Sequence, residues 1–368
     1  MAKQCPACGA NNPDHSWQCA CGHYFVTTMP KPPGSEADPA PPPFAETISS
    51  PESQTRRLWF HGQGGALLEI YILNILLTFL TLGAYYFWGK VKVREYLYSQ
   101  TEFEGDRFGY HGTGKELMIG WLKAMALFGG FLAMLAINAM LWQGVWQVLL
   151  GQILFYGGLL LLIPIALVGS QRYRLSRTSW RGIRFSFRGH TSELMRNFLR
   201  DGVLMIFTGF LYYPFFQNNL REFLAHNSYY GSEPFDYNGE GWELFKMYML
   251  MLLLILPTLG LYWFWYTAKK QRYYWANTEF GKARFRSTVT GEGLADIKIT
   301  NLLLIVFTLG VGYPLARVRE ARYQADHLFL DGPLDLDRIQ QQAIAASATG
   351  DALADMMDVS LLDIDLGF

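Results

Sequence analysis

The residues with the clearest chemistry in this sequence are four cysteines, all within the first 21 residues of a 368-residue chain. They form two close pairs, each followed by a glycine: Cys5 with Cys8, and Cys19 with Cys21. Two such pairs, separated by a short loop, can surround one zinc ion with a tetrahedron of thiolates. The spacing therefore predicts a zinc ribbon over residues 1–27, with structural zinc as its cofactor. Because four cysteines leave no open coordination position, catalytic zinc is not expected.

Two disulfide bonds in an exported domain are the alternative for these cysteines. The Cys19-x-Cys21 gap is one residue shorter than the usual zinc spacing, and His15 or His23 could each replace a ligand. Residues 28–55, rich in Pro, Ser, Ala and Glu, are typical of a flexible linker. The ribbon is therefore predicted to be a separate module in front of a membrane domain over residues 56–338. The acidic residues 339–368 are expected to be a disordered tail.

An internal repeat organises the predicted membrane domain. The Thr-Leu-Gly-x-Tyr element at residues 81–85 returns at residues 258–262, and a second offset aligns Thr81 with Thr208. The equivalent turn positions are Gly62, Gly112, Gly189, Gly239 and Val289, separated by steps of 50, 77, 50 and 50 residues. Five units result. The 27 residues by which the second step exceeds the others fit one additional membrane span of about 20 residues and its connection.

Composition indicates that the repeat lies in a membrane. Hydrophobic residues make up 51% of the chain and charged residues 17%, and the formal net charge is zero, which gives no case for a nucleic-acid partner. Several apolar runs reach the length of a transmembrane helix, and Trp and Tyr crowd their ends. The runs are 66–88, 117–142, 145–169, 203–216, 244–266 and 299–315. We therefore predict a mainly α, multi-pass protein with about six transmembrane helices, in contact with the lipid bilayer.

Each unit is predicted to contain three parts. An apolar span ends at Thr-Leu-Gly, and a basic amphipathic stretch such as residues 90–96 follows it, as expected for a short helix on anionic lipid headgroups. A short β-hairpin such as residues 101–110 comes last, with apolar and polar residues alternating around a glycine turn. Because isolated hairpins are marginally stable in water, we expect them to form a small β layer that caps the helices.

The elements Thr-Leu-Gly-x-Tyr-x-x-Trp, Thr-x-Phe-x-Gly-x-Arg-Phe and Phe-x-Gly resemble those of the YjgN-like family of bacterial inner-membrane proteins. The resemblance covers residues 58–337. It implies a polytopic protein of the bacterial inner membrane. The family is a domain of unknown function, so no catalytic or binding residue follows from the resemblance. The cysteine-rich front and the acidic tail are departures from it.

The side of the membrane on which each hairpin lies is a further prediction. If every unit crosses once, the hairpins alternate: Phe108, Phe185 or Phe187, and Phe285 lie together, with Tyr237 a membrane thickness away. The positive-inside rule places the first group in the cytosol, but then both termini and the four thiolates lie outside it. Re-entry of the first and last apolar segments without crossing is the alternative, and the sequence leaves both open.

No catalytic motif stands out, so we expect a non-enzymatic protein. The favoured hypothesis is a scaffold, sensor or accessory subunit that binds a protein partner through its zinc ribbon and hairpin cap. The alternative is a transporter or channel, which needs a polar cavity lined by Asn74, Asn138 and Thr208. Lys123 is expected to extend its amine towards the membrane surface. The polar residues inside the apolar runs are few: Asn74, Lys123, Asn138, Thr208 and Asn301.

Overall fold

The computed structural model describes Lys3, Gln4, Asn11, Asn12, residues 55–141, residues 144–336 and Ile339. The chain divides into two compact units, Met1–Ser50 and Pro51–Phe368. In the first, strand β1 (Lys3–Gln4) pairs antiparallel with β2 (Asn11–Asn12). The predicted zinc ligands Cys5, Cys8, Cys19 and Cys21 lie outside the described residues, so the zinc ribbon stays a prediction. Nearly all of the predicted linker and tail also lies outside them.

The helices of the second unit come in five antiparallel pairs, each with an outgoing and a returning helix. In the described residues the pairs are α1 (Gly64–Leu80) with α2 (Tyr86–Ser99), α3 (Gly114–Leu141) with α4 (Val145–Arg177), α5 (Thr191–Phe207) with α6 (Tyr213–His226), α7 (Gly241–Ile255) with α8 (Tyr262–Ala276), and α9 (Gly291–Phe307) with α10 (Tyr313–Asp326). Glu116, Glu193 and Glu243 lie in the first turns of their helices, where a negative charge interacts favourably with the helix dipole. We call α3/α4 the long hairpin and the other four pairs the short hairpins.

Short strands connect each pair to the next. They are β3 (Thr55–Phe60), β4 (Thr101–Phe103), β5 (Asp106–Arg107), β6 (Gly109–Tyr110), β7 (Thr178–Trp180), β8 (Ile183–Phe187), β9 (Ser228–Tyr230), β10 (Glu233–Tyr237), β11 (Thr278–Phe280), β12 (Ala283–Ser287) and β13 (Leu328–Asp331). All eleven belong to one sheet, in the order β5-β4-β3-β13-β12-β11-β10-β9-β8-β7-β6. The predicted β layer is therefore confirmed.

The sheet closes on itself. Its two end strands, β5 and β6, are consecutive pieces of one segment that flank Phe108; β5 pairs with β4, and β6 pairs with β7. Among the described strands of the unit, the first, β3, pairs with the last, β13. The helices close in the same way, because α1 packs against α10. We call the closed sheet the strand ring.

The prediction that the hairpins alternate between two sides is wrong. Tyr237 lies in β10, which pairs with β9 and β11 in the same sheet that contains Phe285. The physical reason is that each unit is a pair of helices, so the chain returns to the side from which it left. The basic stretch 90–96, predicted to be a separate helix on the headgroups, is the second half of the returning helix α2.

The 27 additional residues of the second unit do not add a separate helix. They lengthen α3 to 28 residues and α4 to 33, whereas the helices of the short hairpins have 14 to 17. In the described part of the chain, two helices are long and apolar enough to cross a membrane, Gly114–Ile137 and Val148–Arg177. The sequence predicted about six, because an apolar run that folds back near its end has the composition of one that crosses.

Candidate functional site: the strand ring and the hairpin tips

Aromatic side chains fill the inner face of the strand ring. They come from seven strands and from Phe108, which lies between β5 and β6. They form one cluster because the ring brings these strands around a common interior. Ring centroids are 4.9 Å apart for Phe185 and Tyr230, and 5.3 Å apart for Phe103 and Trp180. The members are Phe103, Phe108, Trp180, Ile183, Phe185, Tyr230, Phe235, Phe280 and Phe285. Tyr110, Phe187 and Tyr237 contact helices instead. Phe187 packs against Phe223 of α6, the Tyr237 hydroxyl donates to Oδ1 of Asn218, and the Tyr110 hydroxyl accepts from Arg94.

The segment after β13 packs into the same cluster. Leu334 and Leu336 contact it, and Ile339 is buried within it. The polar atoms of the cluster also have partners. The indole Nε1 of Trp180 donates to the carbonyls of Phe103 and Asp106, both at 3.2 Å, and the hydroxyl of Tyr230 donates to the Trp180 carbonyl at 3.0 Å. Burial raises the pKa of Tyr230 to about 12, so this hydroxyl stays protonated. The inside of the ring is therefore a packed core.

A salt bridge links β12 to β13, the strand that also pairs with β3. The Arg286 guanidinium donates from Nε to Oδ2 of Asp331 at 2.6 Å, between β12 and β13. This hydrogen bond holds the pKa of Asp331 below its ordinary value. Arg284 pairs with Glu279 across β11 and β12. Cross-strand charge pairs thus stabilise the rim of the ring.

The tips of the short hairpins share one turn. The Thr81 hydroxyl donates to the Leu77 carbonyl at 2.7 Å and accepts from the Tyr85 amide at 2.9 Å. Thr208, Thr258 and Thr308 do the same in their hairpins. Each threonine thus ends one helix and holds the start of the next. Thr208, predicted as a possible cavity residue, belongs to a turn.

Three of these tips place a leucine in the left-handed backbone region. Leu82, Leu259 and Leu309 have φ angles of 51°, 50° and 50°. Their side chains are 97%, 94% and 94% exposed. A left-handed residue of this kind costs about 1–2 kcal/mol. Because these side chains are so exposed, packing against the described part of the chain does not offset that strain. Transfer of a leucine side chain from water to an apolar medium contributes about 1.5–3 kcal/mol. The tips are therefore suited to lipid.

A buried position recurs in the outgoing helices, ten residues after the first residue of each. It holds Asn74, Ala124, Asp201, Met251 and Asn301, all at most 8% exposed. The Asn74 amide donates to the Gly89 carbonyl of its returning helix at 3.1 Å, and the Asn301 amide donates to the Ala316 carbonyl at 3.2 Å. A Cβ on Gly89 would lie 2.9 Å from the Asn74 side chain, so glycine permits this close approach.

Asp201 is the residue at this position that sequence reasoning missed. It is 1% exposed; its Oδ1 accepts from Arg200 Nε at 2.7 Å, and its Oδ2 accepts from Asn219 Nδ2 at 2.8 Å. A cavity of about 10 Å³ lies beside it between α5 and α6, which leaves room for at most about one water molecule. The repeat period is the signal that could have found Asp201, because it aligns this carboxylate with Asn74 and Asn301.

The other residues singled out from the sequence do not meet in one place. Lys123 is exposed on α3, next to buried Ala124. The side chain of Asn138 lies outside the described residues. Asn74 and Asn301 hold helices together, as described above. Across the residues that the structure describes, no group of three or more His, Cys, Asp or Glu side chains is arranged to hold a metal ion.

The repeated helix pairs and the closed ring extend over the region that a known family matches. Its description is "Bacterial protein of unknown function (DUF898)", and the matches cover residues 55–260 and 247–356. The chain belongs to this family. The matches take in every helix and strand of the second unit, so the DUF898 region and the ring of helix pairs coincide. The unknown function of the family leaves the chemistry of the chain open.

Curated relatives of this DUF898 chain carry the name "Inner membrane protein YjgN". Those of Escherichia coli O157:H7 and strain K12 are 34% and 33% identical over 144 residues, which is 39% of this chain and 34% of each relative. That of Salmonella typhimurium LT2 is 34% identical over 140 residues, 38% of this chain and 33% of the relative. The chain thus matches about a third of the length of these relatives. They confirm the YjgN-like resemblance and support an inner-membrane location. No solved structure matches.

Proposed function

We propose that the chain is a non-enzymatic, multi-pass protein of the bacterial inner membrane that acts as a scaffold, sensor or accessory subunit. The strand ring and the N-terminal zinc ribbon would form its cytosolic face and bind a protein partner. The observation that carries the proposal is the strand ring itself. Its interior is packed with aromatic side chains, and its strands carry cross-strand charge pairs that a partner could contact.

Charge supports a cytosolic position for the strand ring. The turns at the short tips, residues 81–85, 208–212, 258–261 and 308–312, contain no Lys or Arg. Residues 124–171, which include the far end of the long hairpin, contain no charged residue at all. The basic residues of the domain therefore lie towards the ring. By the positive-inside rule, that side faces the cytosol.

This orientation also places the four cysteine thiolates on the cytosolic side, whereas the alternating arrangement placed them outside the cytosol. The chain that leads into β3 then starts on the cytosolic side, where cysteines stay reduced. The paired strands β1 and β2 bracket the Cys5-x-x-Cys8 segment, which suits one half of a four-cysteine site. We expect one zinc ion per chain, held by Cys5, Cys8, Cys19 and Cys21.

Elemental analysis of the purified protein tests the zinc site. One zinc per chain is expected, and Cys5→Ser should remove it while the membrane domain keeps its unfolding temperature, because the metal stabilises the ribbon alone. An intact disulfide between these cysteines, found by mass spectrometry of protein purified under acid quench, would contradict the zinc proposal.

The scaffold role is tested by cross-linking the full chain in its native membrane. A partner that is captured by the intact protein and lost in Cys5→Ser supports the role. Transport remains the second candidate, because tandem helix pairs are common in transporters. Saturable, solute-specific flux in liposomes that contain the pure protein would favour transport over the scaffold.

A further inference from the structure

The five helix pairs differ in how far they reach beyond the strand ring, and this difference defines a lipid-binding surface. We infer that the four short hairpins insert into a single leaflet of the bilayer, and that the long hairpin alone among the described pairs crosses it. The ligand of the short tips is the acyl chains of the leaflet next to the ring. This inference concerns lipid contact, so it does not depend on the proposed scaffold role.

Exposure of apolar side chains sets the first limit. In the short hairpins, large exposed hydrophobic side chains lie within residues 72–88, 199–211, 250–265 and 299–313, with Trp242 as the exception. These segments are the tip halves of the hairpins. The halves next to the ring are instead covered by neighbouring helices and strands, as buried Leu67, Leu194, Leu244 and Leu294 show. A solvent-exposed apolar surface of this size marks a membrane or protein contact.

Charge sets the second limit. Residues 70–89, 202–220, 247–268 and 299–316 contain no Asp, Glu, Lys or Arg, and each stretch is centred near a tip. Charged residues begin directly beyond them, as at Glu69, Lys90, Lys269 and Arg317. On three hairpins the bounding residues of both helices are exposed or half-buried, as expected for groups that prefer water or headgroups: Glu69 and Lys90, Lys246 and Lys269, and Lys298 and Arg317. The stretch 202–220 is bounded instead by buried Asp201 and Arg221. The boundary shared by three tips is what a bilayer surface requires.

Length turns these limits into a depth. The charge-free part of α1, residues 70–80, is 11 residues long, which is about 16 Å at the rise of an α-helix. That of α9, residues 299–307, is 9 residues long, or about 14 Å. The hydrocarbon core of a bilayer is about 30 Å thick, so one leaflet contributes about 15 Å. The charge-free parts of α1 and α9 therefore match one leaflet.

The long hairpin gives the contrasting case within the same chain. The charge-free part of α3, residues 124–141, is 18 residues long, or about 27 Å. This is close to the full thickness of about 30 Å. Val145 and Trp146 at its far end are 76% and 85% exposed, as expected for residues that emerge at the opposite interface. One hairpin thus crosses, and four stop midway.

Cysteine labelling of the full-length protein tests this depth. The background has Cys5, Cys8, Cys19 and Cys21 replaced by serine, and these positions belong to the other compact unit. Single cysteines are then placed at the ring (Lys282→Cys), at two short tips (Leu82→Cys and Leu309→Cys) and at the long tip (Val145→Cys). A membrane-impermeant maleimide is applied to spheroplasts and to inverted membrane vesicles.

We expect Lys282→Cys to react in inverted vesicles alone and Val145→Cys to react in spheroplasts alone. Leu82→Cys and Leu309→Cys should react in neither until detergent is added. Reaction of the two short-tip cysteines in spheroplasts would show that the short hairpins cross, and reaction in inverted vesicles would show that they lie outside the lipid; either result overturns the inference. The outcome is independent of partner capture, so the two proposals can fail separately.

A second measurement gives the depth directly. Leu82→Cys and Leu309→Cys are labelled with a fluorophore and reconstituted into phosphatidylcholine–phosphatidylglycerol vesicles that carry a quencher at a chosen acyl position. Quenching should be strongest for quenchers near the ends of the acyl chains, which meet at the bilayer centre. Val145→Cys is the matched control and should be quenched most by headgroup-level probes. Equal depth for all three positions would contradict the inference.

Discussion

The long hairpin and the short hairpins are alike next to the strand ring and differ away from it. The Thr178 hydroxyl after the long hairpin donates to the carbonyl four residues earlier at 2.9 Å, and Thr101 after a short hairpin does so at 3.0 Å. Trp180 and Phe103, two residues further on, pack on each other inside the ring. At the other end, helices of 28 and 33 residues stand beside helices of 14 to 17.

The difference shows where a repeat of this kind can change. The ring ends are fixed because each strand must pair in register with both neighbours to close the sheet. The membrane ends have no such partner, because lipid imposes a thickness but no register. Lengthening a hairpin therefore changes how deeply it enters the bilayer and leaves the ring intact.

The largest expected effect is at the ring. Trp180→Ala removes a side chain that is 4% exposed and packs on Phe103 and Tyr230, and it should lower the free energy of unfolding by about 3–5 kcal/mol. Trp146→Ala is the matched control at the far end of the long hairpin, and a change of at most about 0.5 kcal/mol is expected there. Denaturant titration in detergent micelles measures both. Equal losses would remove the distinction between ring and membrane ends.

The tip turn should have a smaller effect, confined to the short hairpins. Thr308→Ala removes the oxygen that accepts from the Gly312 amide at 2.7 Å, and about 1 kcal/mol of stability should be lost. Thr308→Ser keeps the hydroxyl and should restore most of the loss in the same titration. If the serine variant is as unstable as the alanine variant, the hydroxyl does not hold the turn.

The buried amide of the short hairpins should contribute less still. Asn301→Ala removes the hydrogen bond to the Ala316 carbonyl, and buried polar contacts between membrane helices contribute about 0.6 kcal/mol on average. Ala124 already occupies this position in the long hairpin, which shows that an apolar residue fits there. A loss as large as that of Trp180→Ala would mean that the helix contact, and not the ring, holds the short hairpins.

The smallest effect depends on pH and lies between β12 and β13. The hydrogen bond from Arg286 lowers the pKa of Asp331 in the folded protein relative to the unfolded chain. Its stabilisation is therefore present above the unfolded value of 3.8 and is lost as the pH falls through the folded value. Because both side chains are partly exposed, Asp331→Asn should cost only about 0.3 kcal/mol at pH 7. In unfolding titrations at successively lower pH, the difference should be largest at pH 7 and should shrink as the pH falls below 3.8. A difference that stays constant with pH would assign it to another cause.

The repeat, the β layer and the family could be predicted from the sequence because they depend on local signals. The Thr-Leu-Gly turn, the alternation around Phe103 and the 50-residue period are all visible in the letters. The fold-back of each unit could not be predicted, because the aromatic start of α2 continues the apolar run of α1. Composition does not distinguish a helix that crosses from a pair that turns back.

The candidate site was predicted in part. Asn74 and Asn301 were identified as polar residues in apolar runs. Asp201 was missed because its helix, α5, contains several other charged residues, so one more aspartate did not stand out. Thr208 was interpreted as a cavity residue because a lone threonine in an apolar run does not reveal its backbone partners. The packed interior of the ring could not be predicted, because its residues come from successive units. They meet only when the sheet closes, and the sequence of a single unit does not reveal that closure.

Closure also constrains how the chain can be made. Strand β3 is complete at residue 60, but its partner β13 ends at residue 331. At a translation rate of about 5–20 residues per second, β13 follows roughly 15–55 s later. Throughout this interval one edge of β3 is open to any other strand. The ring can therefore close only after β13, the last of the described strands, has been made.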